Sequence, residues 1–540
     1  MRFCFNYLLS ILLSCICTVA FAQVNTQLKG KGNEQARAVL YDNYGNYFIL
    51  ADYQADAQLD STQLPAFEGT AILLAKFNAL GQLVWKQCLG SVGVNHGVAF
   101  VIDEHNNLFV CGNFEQTLSN NGPGSAISIN SSGSSDLFLA QLNAFSGAID
   151  WIVANGSSNT ERAMALAIDQ ADGAIVQATM ETPSKKDNEL FLVRMARYDG
   201  NLLLRKRIFK TNNINLLTKS GSIVCDDLNN VYIGCPFSDT IVLLNDKNRA
   251  KVVANSTAAL LIEKCDLDLM QSWNTKLEAA DAINFSKDGL IYTDYQLYCC
   301  LSTKGSGVYT NGLEVKQLAN STGATYLLNI AVASGNLSKS TVIESGSDLN
   351  KVNFHQPKTG DLMLYVNTGS FLNIYAISAS ALTALVKIPA IDFECCGICA
   401  NFFTDELIVC FTYNKAFTLL EKNFIYQGGT ELGLYKLSLT AYKTWNPEEH
   451  MMKTEMLSTE NYLMEYHKND NQSLLSISYI NTDDKQIHAT IYNFAGIPVK
   501  VLANELQDKG LKQIYCSMSE FPYGYYIFEL NGKRKPIYCY

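Results

Sequence analysis

The sequence predicts an all-β protein, and three observations support this class. Only 17% of the residues are charged, below the ~25% of an average globular protein. Tyr and Phe are frequent, with 28 and 26 copies, and aromatic residues suit half-buried strands. Most of the chain repeats one phrase in which apolar and polar residues alternate between turns rich in Asp, Asn and Gly. Alternation of this kind is typical of strands.

The repeated phrase begins with a strand, a turn and a second strand. Its copies begin at Ala36, Gly97, Ala163, Ser220, Ala282, Asn353 and Gly397, of which the first four are the clearest. Those four carry a turn aspartate, and the aspartates are Asp42, Asp103, Asp169 and Asp226. Asp and Asn tolerate left-handed backbone and bond their own backbone, so we interpret these aspartates as turn-forming residues rather than metal ligands.

A second half follows each first half and adds another strand, a short turn and an outer strand. The outer strand often carries a tryptophan four residues after a turn glycine, as Trp151 follows Gly147. Two copies lack this tryptophan and have Leu204 and Lys339 in its place, and the last copy ends at Trp445. Each unit therefore contains four short strands.

Seven such units over residues 23–446 predict a seven-bladed β-propeller with four-stranded blades. One four-stranded unit cannot form a hydrophobic core by itself, whereas seven units packed around a common axis bury one another's faces. The segment from Asn25 aligns with the outer strand and loop that precede a first half. We therefore expect the N-terminal strand at the outermost edge of the final blade, beside the strand that ends at Trp445.

The clearest copies resemble a known repeat. The phrase GVAFVIDEHNNLFVCGNF from Gly97, followed by SDLFLAQLNAFSGAIDW, is similar to the repeat of bacterial seven-bladed β-propellers in secreted proteins. The resemblance is good in the first two copies, fair in the next two, and depends mainly on spacing after that. It implies the same propeller fold.

Residues 1–22 predict a signal peptide. Arg2 gives the positive start, residues 7–19 are apolar, and Ala22 and Gln23 flank the predicted cleavage site. A lipid-attachment motif ending at Cys15 is the alternative. No later apolar run approaches the ~20 residues of a membrane-spanning helix. We therefore expect an exported protein, secreted or on the outer cell surface, with no membrane-spanning segment.

The last part of the chain predicts a linker and a second domain. Residues 447–466 are polar without alternation, whereas residues 467–540 predict a small β-sandwich of short strands. The phrases ATIYNFAGIPVKV and SEFPYGYYIFEL, with a basic close, resemble the C-terminal sorting domain of the type IX secretion system. The residues that carry the resemblance are Asn493, Gly496, Pro522, Gly524, Tyr526, Lys533, Arg534 and Lys535.

The resemblance implies that the type IX secretion machinery is a partner and that this domain directs passage across the outer membrane. The chain departs from the family's pattern at its end, where PIYCY replaces a Lys-rich strand, and an upstream YPNP phrase is missing. An additional sandwich that packs on the propeller is the alternative.

Charge and cysteine content exclude several classes. The net charge of −10 is spread evenly, without a Lys/Arg stripe, which argues against nucleic acid as a partner. Thirteen of the 16 cysteines follow the predicted signal peptide and are scattered over the chain, unlike a small disulfide scaffold. We expect most of them to be buried.

No catalytic, metal-binding or cofactor-binding residue is predicted. Common catalytic motifs are absent, and His96 and His105 are interpreted as loop residues. The pairs Cys299–Cys300 and Cys395–Cys396, and the spacing of Cys396 and Cys399, are the features closest to a redox or metal site. Vicinal cysteines with Gly-x-x-x-Trp turns are similar to quinoprotein dehydrogenases, so a propeller oxidoreductase is kept as an alternative.

Binding is the function that the sequence favours. The gap after the second strand is long and rich in Ser, Asn, Gly and Thr in four copies, at 54–69, 115–135, 238–257 and 301–324. Insertions on one face are typical of recognition loops. We expect a module for a glycan, peptide or surface protein, with aromatic residues converging on the mouth of the ring. A structural surface protein without ligand predicts a plain channel instead.

Overall fold

The computed structural model describes 22 stretches of the chain. These are residues 26–42, 45–103, 105–182, 188–211, 221–245, 250–256, 258–312, 314–318, 320, 322–346, 351–355, 362–377, 382–389, 393–400, 406–419, 422–438, 463–469, 472–481, 483–493, 497–517, 521 and 524–539. The predicted cleavage site at Ala22 and Gln23, together with Trp445, Gly496 and Pro522, lies outside them. All regular structure in the described stretches is β-strand, which confirms the predicted class.

Thirteen strands cover the N-terminal part up to residue 155. They are β1 (Gln27–Lys29), β2 (Gln35–Tyr41), β3 (Tyr47–Tyr53), β4 (Gln58–Leu59), β5 (Thr62–Gln63), β6 (Ala71–Phe77), β7 (Leu83–Gly90), β8 (His96–Ile102), β9 (Asn107–Phe114), β10 (Thr117–Asn121), β11 (Ser128–Asn130), β12 (Asp136–Asn143) and β13 (Ile149–Asn155).

The middle of the chain continues in the same way. Its strands are β14 (Thr160–Ile168), β15 (Gly173–Glu181), β16 (Asn188–Ala196), β17 (Leu202–Thr211), β18 (Ser222–Cys225), β19 (Val231–Phe237), β20 (Thr240–Leu243), β21 (Lys251–Val253), β22 (Ala258–Cys265), β23 (Gln271–Ala279), β24 (Ala282–Asn284), β25 (Leu290–Thr293), β26 (Gln296–Lys304), β27 (Gly307–Asn311), β28 (Glu314–Gln317), β29 (Gly323–Ile330) and β30 (Leu337–Ser345).

The remaining strands fall into two groups separated by residues 439–462. The first group is β31 (Lys351–His355), β32 (Leu362–Asn367), β33 (Phe371–Ile377), β34 (Leu382–Pro389), β35 (Phe393–Ala400), β36 (Glu406–Tyr413), β37 (Phe417–Leu419), β38 (Lys422–Phe424) and β39 (Glu431–Ser438). The second is β40 (Leu463–Asn469), β41 (Gln472–Asn481), β42 (Lys485–Asn493), β43 (Pro498–Gln507), β44 (Gly510–Ser517), β45 (Gly524–Leu530) and β46 (Lys533–Cys539).

Up to residue 438 the described strands form seven antiparallel sheets of at least four strands, here called sheets I to VII. In the order of hydrogen bonding they are I (β2-β3-β6-β7-β10-β11), II (β8-β9-β12-β13), III (β14-β15-β16-β17-β20-β21), IV (β18-β19-β22-β23-β27-β28), V (β24-β26-β29-β30, with β25 also on β26), VI (β31-β32-β33-β34) and VII (β35-β36-β39-β1-β4-β5). The strands β37 and β38 form a separate hairpin.

The sheets are arranged in a ring. The first strands of adjacent sheets contact one another from sheet VI through VII and I to IV, and β2 of sheet I contacts both β8 of sheet II and β35 of sheet VII. In sheet V, β25 contacts β18 of sheet IV and β26 contacts β31 of sheet VI. Seven hydrophobic clusters lie between the sheets, and each draws its residues mainly from two adjacent sheets, including VII and I. Sheets that bury their faces against both neighbours around one axis form a β-propeller.

The N-terminal strand closes the ring. Strand β1 pairs with β39, with Leu28 opposite Leu432, and Leu28 is fully buried. The predicted closure by the N-terminus is therefore found, but its expected position is wrong. Strand β1 occupies the fourth position of sheet VII, directly beside the third strand, because its side chains fill the cluster between sheets VII and I.

The Gly-x-x-x-Trp pattern joins neighbouring sheets. Trp85 of sheet I donates its indole N–H to the carbonyl of Ala144 in sheet II at 3.2 Å, and its ring lies under the turn glycine Gly147, where an added Cβ would approach the ring to 2.5 Å. Gly147 has a φ of 74°. The same contact recurs where Trp151 meets Gly200 and where Trp273 meets Gly335.

Sheet V differs from the prediction. The sequence pattern placed a turn at Asp288 and the second strand after it. In the structure β24 and β25 both pair with β26, so the first strand is split, and the turn to the second strand is at Asp294 and Tyr295, which both have positive φ. Residues 285–289 therefore lie between two halves of an inner strand.

The long gaps after the second strands are hairpins rather than open loops. Strands β4 and β5 extend sheet VII, β10 and β11 extend sheet I, β20 and β21 extend sheet III, and β27 and β28 extend sheet IV. Each hairpin pairs with the outermost strand of the preceding sheet. The predicted recognition loops thus place much of their chain at the outer edge of the ring.

The second group of strands forms two sheets, β40-β41-β44 and β43-β42-β45-β46. One hydrophobic cluster contains residues of both sheets, among them Ile477 and Phe528. The first strand begins at Leu463, four residues before the predicted start of the domain at 467.

Candidate ligand site in the central channel

The first strands of the sheets surround a channel, and its entrance is a cavity of about 400 Å³. The lining comes from the beginnings of β2, β8, β14, β31 and β35 and from residues 286 and 287. Since each inner strand begins here, this is the face on which the second strands end. The volume of the cavity lies within the range typical of small-ligand sites.

Positive charge is concentrated at this entrance. Arg37, Arg162, Lys287 and Lys351 line the cavity, and Glu394 is the one acidic residue among the described residues of its lining. The whole chain carries a net charge of −10, so the local excess opposes the overall sign. Charges in a concave site raise the local concentration of counter-ions.

A buried aspartate orients two of the polar side chains. Asp52 is 3% exposed and accepts hydrogen bonds from Arg37 at 2.8 and 2.5 Å. His96 Nδ1 lies 2.7 Å from the same carboxylate oxygen, and the Gly97 amide donates to the other oxygen at 2.8 Å. His96 is thus the first residue of β8 with its ring in the cavity, whereas the sequence interpretation made it a loop residue.

Lys287 crosses the channel and divides it. Its ammonium donates to the carbonyl of Arg37 at 2.8 Å and to that of Val98 at 3.0 Å, so a side chain from sheet V reaches sheets I and II. Ser286 Oγ donates to the carbonyl of Val352 at 2.8 Å and holds the segment on sheet VI. Lys287 and Cys396 line both this cavity and a second one deeper in the channel.

The second cavity, of about 260 Å³, is mainly apolar. Among the described lining residues, the polar side chains are Lys287, Asp288, His355 and Tyr365. Burial lowers the pKa of His355 to about 4, and its Nε2 accepts a hydrogen bond from the Ala400 amide at 2.9 Å. His355 is therefore a neutral ring near pH 7. Tyr365 accepts a hydrogen bond from Asn353 Nδ2 at 2.7 Å.

The four turn aspartates lie away from both cavities, in the turns that follow the inner strands. All four are buried, and each accepts a backbone hydrogen bond from the residue four positions on, as Asp226 does from Asn230 at 2.8 Å. Asp169 also pairs with Arg194 at 2.6 Å. The geometry is that of turn-forming residues, as interpreted from the sequence.

Twelve cysteines are free thiols, ten of them buried, which agrees with the expectation that most are small core residues. Cys299 and Cys300 lie in β26, and their pKa values are raised by burial. Cys395 and Cys396 line the entrance cavity, and burial likewise raises the pKa of Cys396. No cluster of three or more His, Cys, Asp or Glu suited to a metal ion occurs in the described stretches.

The residues of the sorting motif that can be placed lie in the C-terminal sheets. Asn493 Oδ1 accepts from the Ile497 amide at 2.9 Å in the turn after β42. Tyr526 is buried and its ring meets Phe521 edge-on. Lys533, Arg534 and Lys535 belong to the last strand, where Arg534 pairs with Glu529 at 2.5 Å. Gly524 begins β45.

The lining of the entrance contains no Phe, Tyr or Trp among the residues described. The aromatic convergence expected of a binding module is therefore not found there, and neither is a plain channel, because four cations line it. Sequence reasoning missed these residues. Arg37, Arg162 and Lys351 lie in different repeats, and only the ring brings them together. One signal was available in the sequence. In the weak copy from Ala282, the charged residues of Lys287-Asp288-Gly289 stand at the position of the turn in the other copies.

The chain matches no protein-family model, and no curated protein matches it. Solved structures with a similar arrangement include the propeller of Dos1, at 9% identity over 76% of this chain and 96% of that one, with a TM-score of 0.37. The propeller domain of the Trilobed protease from Pyrococcus furiosus aligns at 7% identity over 77% and 98%, with a TM-score of 0.40.

Quinohemoprotein alcohol dehydrogenase from Comamonas testosteroni aligns at 9% identity over 77% of both chains, with a TM-score of 0.38. Similarity at this level carries no information about activity or ligands. The described residues contain no helix with the length and apolar character of a membrane span.

Proposed function

We propose that this protein is an exported seven-bladed β-propeller that binds an anionic ligand at the entrance of its central channel. In this proposal each of sheets I to VII is one blade, and the two C-terminal sheets form one sandwich that serves as a type IX sorting domain. The concentration of four cations in one concave site carries the proposal.

The protein's own carboxylates neutralise the four cations only in part, because Arg37 is paired with Asp52 and Lys351 with Glu394. Arg162 is exposed and Lys351 is paired only with the exposed Glu394. Arg37 is held by Asp52, which fixes its direction. Guanidinium and ammonium groups bind carboxylate, sulfate and phosphate by charge-assisted hydrogen bonds. Without aromatic side chains in the lining, recognition depends on charge rather than on ring stacking.

The binding proposal is tested with the double variant Arg162→Ser/Lys351→Ser. Binding of polygalacturonate, dextran sulfate and neutral dextran is measured by calorimetry at low and high salt. We expect the wild type to bind at least one acidic polymer and not dextran, with affinity falling as salt rises. The double variant should bind at least tenfold more weakly.

The matched control is Lys251→Ser/Lys339→Ser, which removes the same charge from exposed positions of outer strands. It should bind like the wild type. Equal losses in the two double variants would show a general effect of net charge and reject the entrance as the site. So would equal binding of dextran and the acidic polymers.

Export and sorting are tested separately in the native cells. Fractionation followed by mass spectrometry should find a surface or extracellular form that begins at Gln23 and lacks roughly the last 75 residues, the length expected of the sorting domain. A full-length form retained inside the cells would contradict this part, and it would leave the ligand proposal to its own test.

A quinone-dependent oxidoreductase is the second candidate, because Cys395 and Cys396 are adjacent residues in the wall of the entrance cavity. The fit is incomplete. Propellers of that class hold a calcium ion with Glu, Asn and Asp, whereas Glu394 is the one acidic residue of this lining. We therefore derive no reaction step through such a cofactor.

A further inference from the structure

The inner cavity contains an acidic group that the entrance site does not use. Asp288 lines this cavity but not the entrance. Two backbone hydrogen bonds fix the main chain at this position. The Asp288 carbonyl accepts a hydrogen bond from the Phe354 amide at 3.0 Å, and the Gly289 carbonyl accepts one from the Cys300 amide at 2.9 Å. The split inner strand of sheet V thus presents one carboxylate at a defined place in the channel.

The surroundings of this carboxylate are poorly hydrated. Apolar residues from several sheets complete the wall, among them Val39, Phe100, Val224, Ile291 and Ile398. Burial raises the pKa of Asp288, and the neighbouring Lys287 opposes the rise. A carboxylate that has lost much of its hydration gains from a cation that replaces the missing water.

The neighbouring basic groups do not supply that cation. The ammonium of Lys287 is directed to the carbonyls of Arg37 and Val98. His355 is neutral near pH 7, because burial lowers its pKa to about 4. Among the described lining residues, the cavity therefore combines one carboxylate with walls that are mainly apolar.

We infer that the inner cavity binds a small organic ammonium ion, with the charged nitrogen at Asp288 and the apolar body against the surrounding side chains. The volume of about 260 Å³ lies just below the roughly 300–1,000 Å³ of drug-sized ligand sites, so the ligand is small. The site is distinct from the entrance because the side chain of Lys287 lies between the two cavities.

The test uses isobutylammonium and tetramethylammonium chloride as probes and isobutanol as the uncharged counterpart. Binding is measured by calorimetry on the full chain and on Asp288→Asn, Asp288→Glu and Asp268→Asn. We expect isobutylammonium to bind at least tenfold more tightly than isobutanol. Asp288→Asn should lose at least tenfold in affinity for both cations, and Asp288→Glu should retain part of it.

Asp268 is an exposed acid in the turn between β22 and β23, so Asp268→Asn should bind like the wild type. Circular dichroism shows whether each variant is folded. Equal binding of the amine and the alcohol overturns the inference. So does unchanged binding by folded Asp288→Asn, or absence of cation binding by the folded wild type.

The pH dependence provides a second readout. The titratable groups of the described inner lining are Lys287, Asp288, His355, Tyr365 and Cys396. Tyr365 and Cys396 keep their protons as the pH falls, because burial raises their pKa values. The pKa of His355 is lowered to about 4, so this ring gains charge only near that pH, whereas Asp288, whose pKa is raised, loses its charge as the pH falls. Ammonium binding should therefore weaken as the pH falls through the raised pKa of Asp288. Lys251→Ser, at an exposed position of an outer strand, should leave it unchanged.

Discussion

The rim and the hub of the ring differ in how their contacts repeat from sheet to sheet. The rim consists of the outer strands with Trp85, Trp151 and Trp273 and the turns that these rings contact. It repeats one contact, a tryptophan under the turn glycine of the next sheet. The hub consists of the first strands that line the channel, and the polar contacts of its described residues differ from sheet to sheet. Asp52 orients Arg37 and His96, whereas Lys287 crosses the channel to main-chain carbonyls.

The difference indicates where stability arises and where the proposed binding would take place. A contact repeated between sheets is satisfied within the protein, and each copy buries an aromatic ring. The hub leaves charged groups facing two cavities, and these are the groups to which we assign ligands. We therefore expect substitutions at the rim to change the free energy of unfolding and substitutions at the hub to change binding.

The largest effect is expected from Gly147→Ala at the rim. The new Cβ would lie 2.5 Å from the Trp85 ring, and the φ of 74° is unfavourable for alanine. Backbone strain and overpacking together should lower the free energy of unfolding by about 2–5 kcal/mol. Chemical denaturation measures it.

Gly312→Ala is the matched control for that experiment. Gly312 has a φ of 55° but nothing within 4 Å of an added Cβ, so its alanine variant should show the backbone cost alone, about 1–2 kcal/mol. Equal losses for the two variants would mean that the tryptophan contact contributes no steric constraint.

Trp85→Phe should lower the free energy of unfolding by about 2 kcal/mol, because it removes the indole hydrogen bond to Ala144 and part of the buried ring. The Ala144 carbonyl keeps its second donor, Lys76 Nζ at 3.0 Å, which limits the loss. Denaturation by urea compares the variant with the wild type. A loss no greater than that of an exposed substitution such as Val84→Ala would contradict the role given to the rim.

Stability should depend on pH at the closing seam, the place where the chain after β1 meets sheet VII and the Glu34 amide donates a hydrogen bond to the Thr430 carbonyl at 2.7 Å. Burial raises the pKa of Glu34 to about 7, and the nearby Glu431 carboxylate adds to the rise. Because the folded pKa lies above the ordinary value, stability is full at low pH and is lost as the pH rises through about 7. Glu34→Gln should therefore unfold less readily than the wild type above pH 7, by about 1–2 kcal/mol.

The measurement is the free energy of unfolding of both proteins between pH 5 and 8.5. The two should converge at the acidic end. Glu68→Gln, at an exposed position, should follow the wild type throughout. A wild-type stability that does not fall across this range would reject the buried carboxyl as a pH-dependent element of the seam.

The smallest effect on stability is expected at the hub. Arg162→Gln should change the free energy of unfolding by less than about 0.5 kcal/mol, because the side chain is exposed. Its effect should appear in the binding of acidic polymers. A loss of stability comparable to that of Trp85→Phe would remove the distinction between rim and hub.

The rim could be predicted from the sequence because its signals are local. Alternation, turn aspartates and the Gly-x-x-x-Trp spacing all lie within one repeat, and they located the first four strands of sheets I to IV but not the hairpins that extend sheets I, III and IV. Sheet V was misplaced because Lys287 and Asp288 occupy the positions of an ordinary turn, and only the pairing of β24 and β25 with the same strand shows otherwise.

By itself the sequence determined the class of the fold, the repeated unit and the buried turn aspartates, since strand periodicity and turn chemistry act over a few residues. Only the tertiary structure decided which side chains meet in the channel. Arg37, Arg162, Lys287 and Lys351 are separated by long stretches of chain, and it is closure of the ring that places their charges around one axis. Contacts between the first strands of distant repeats leave no periodic mark in the residues that make them.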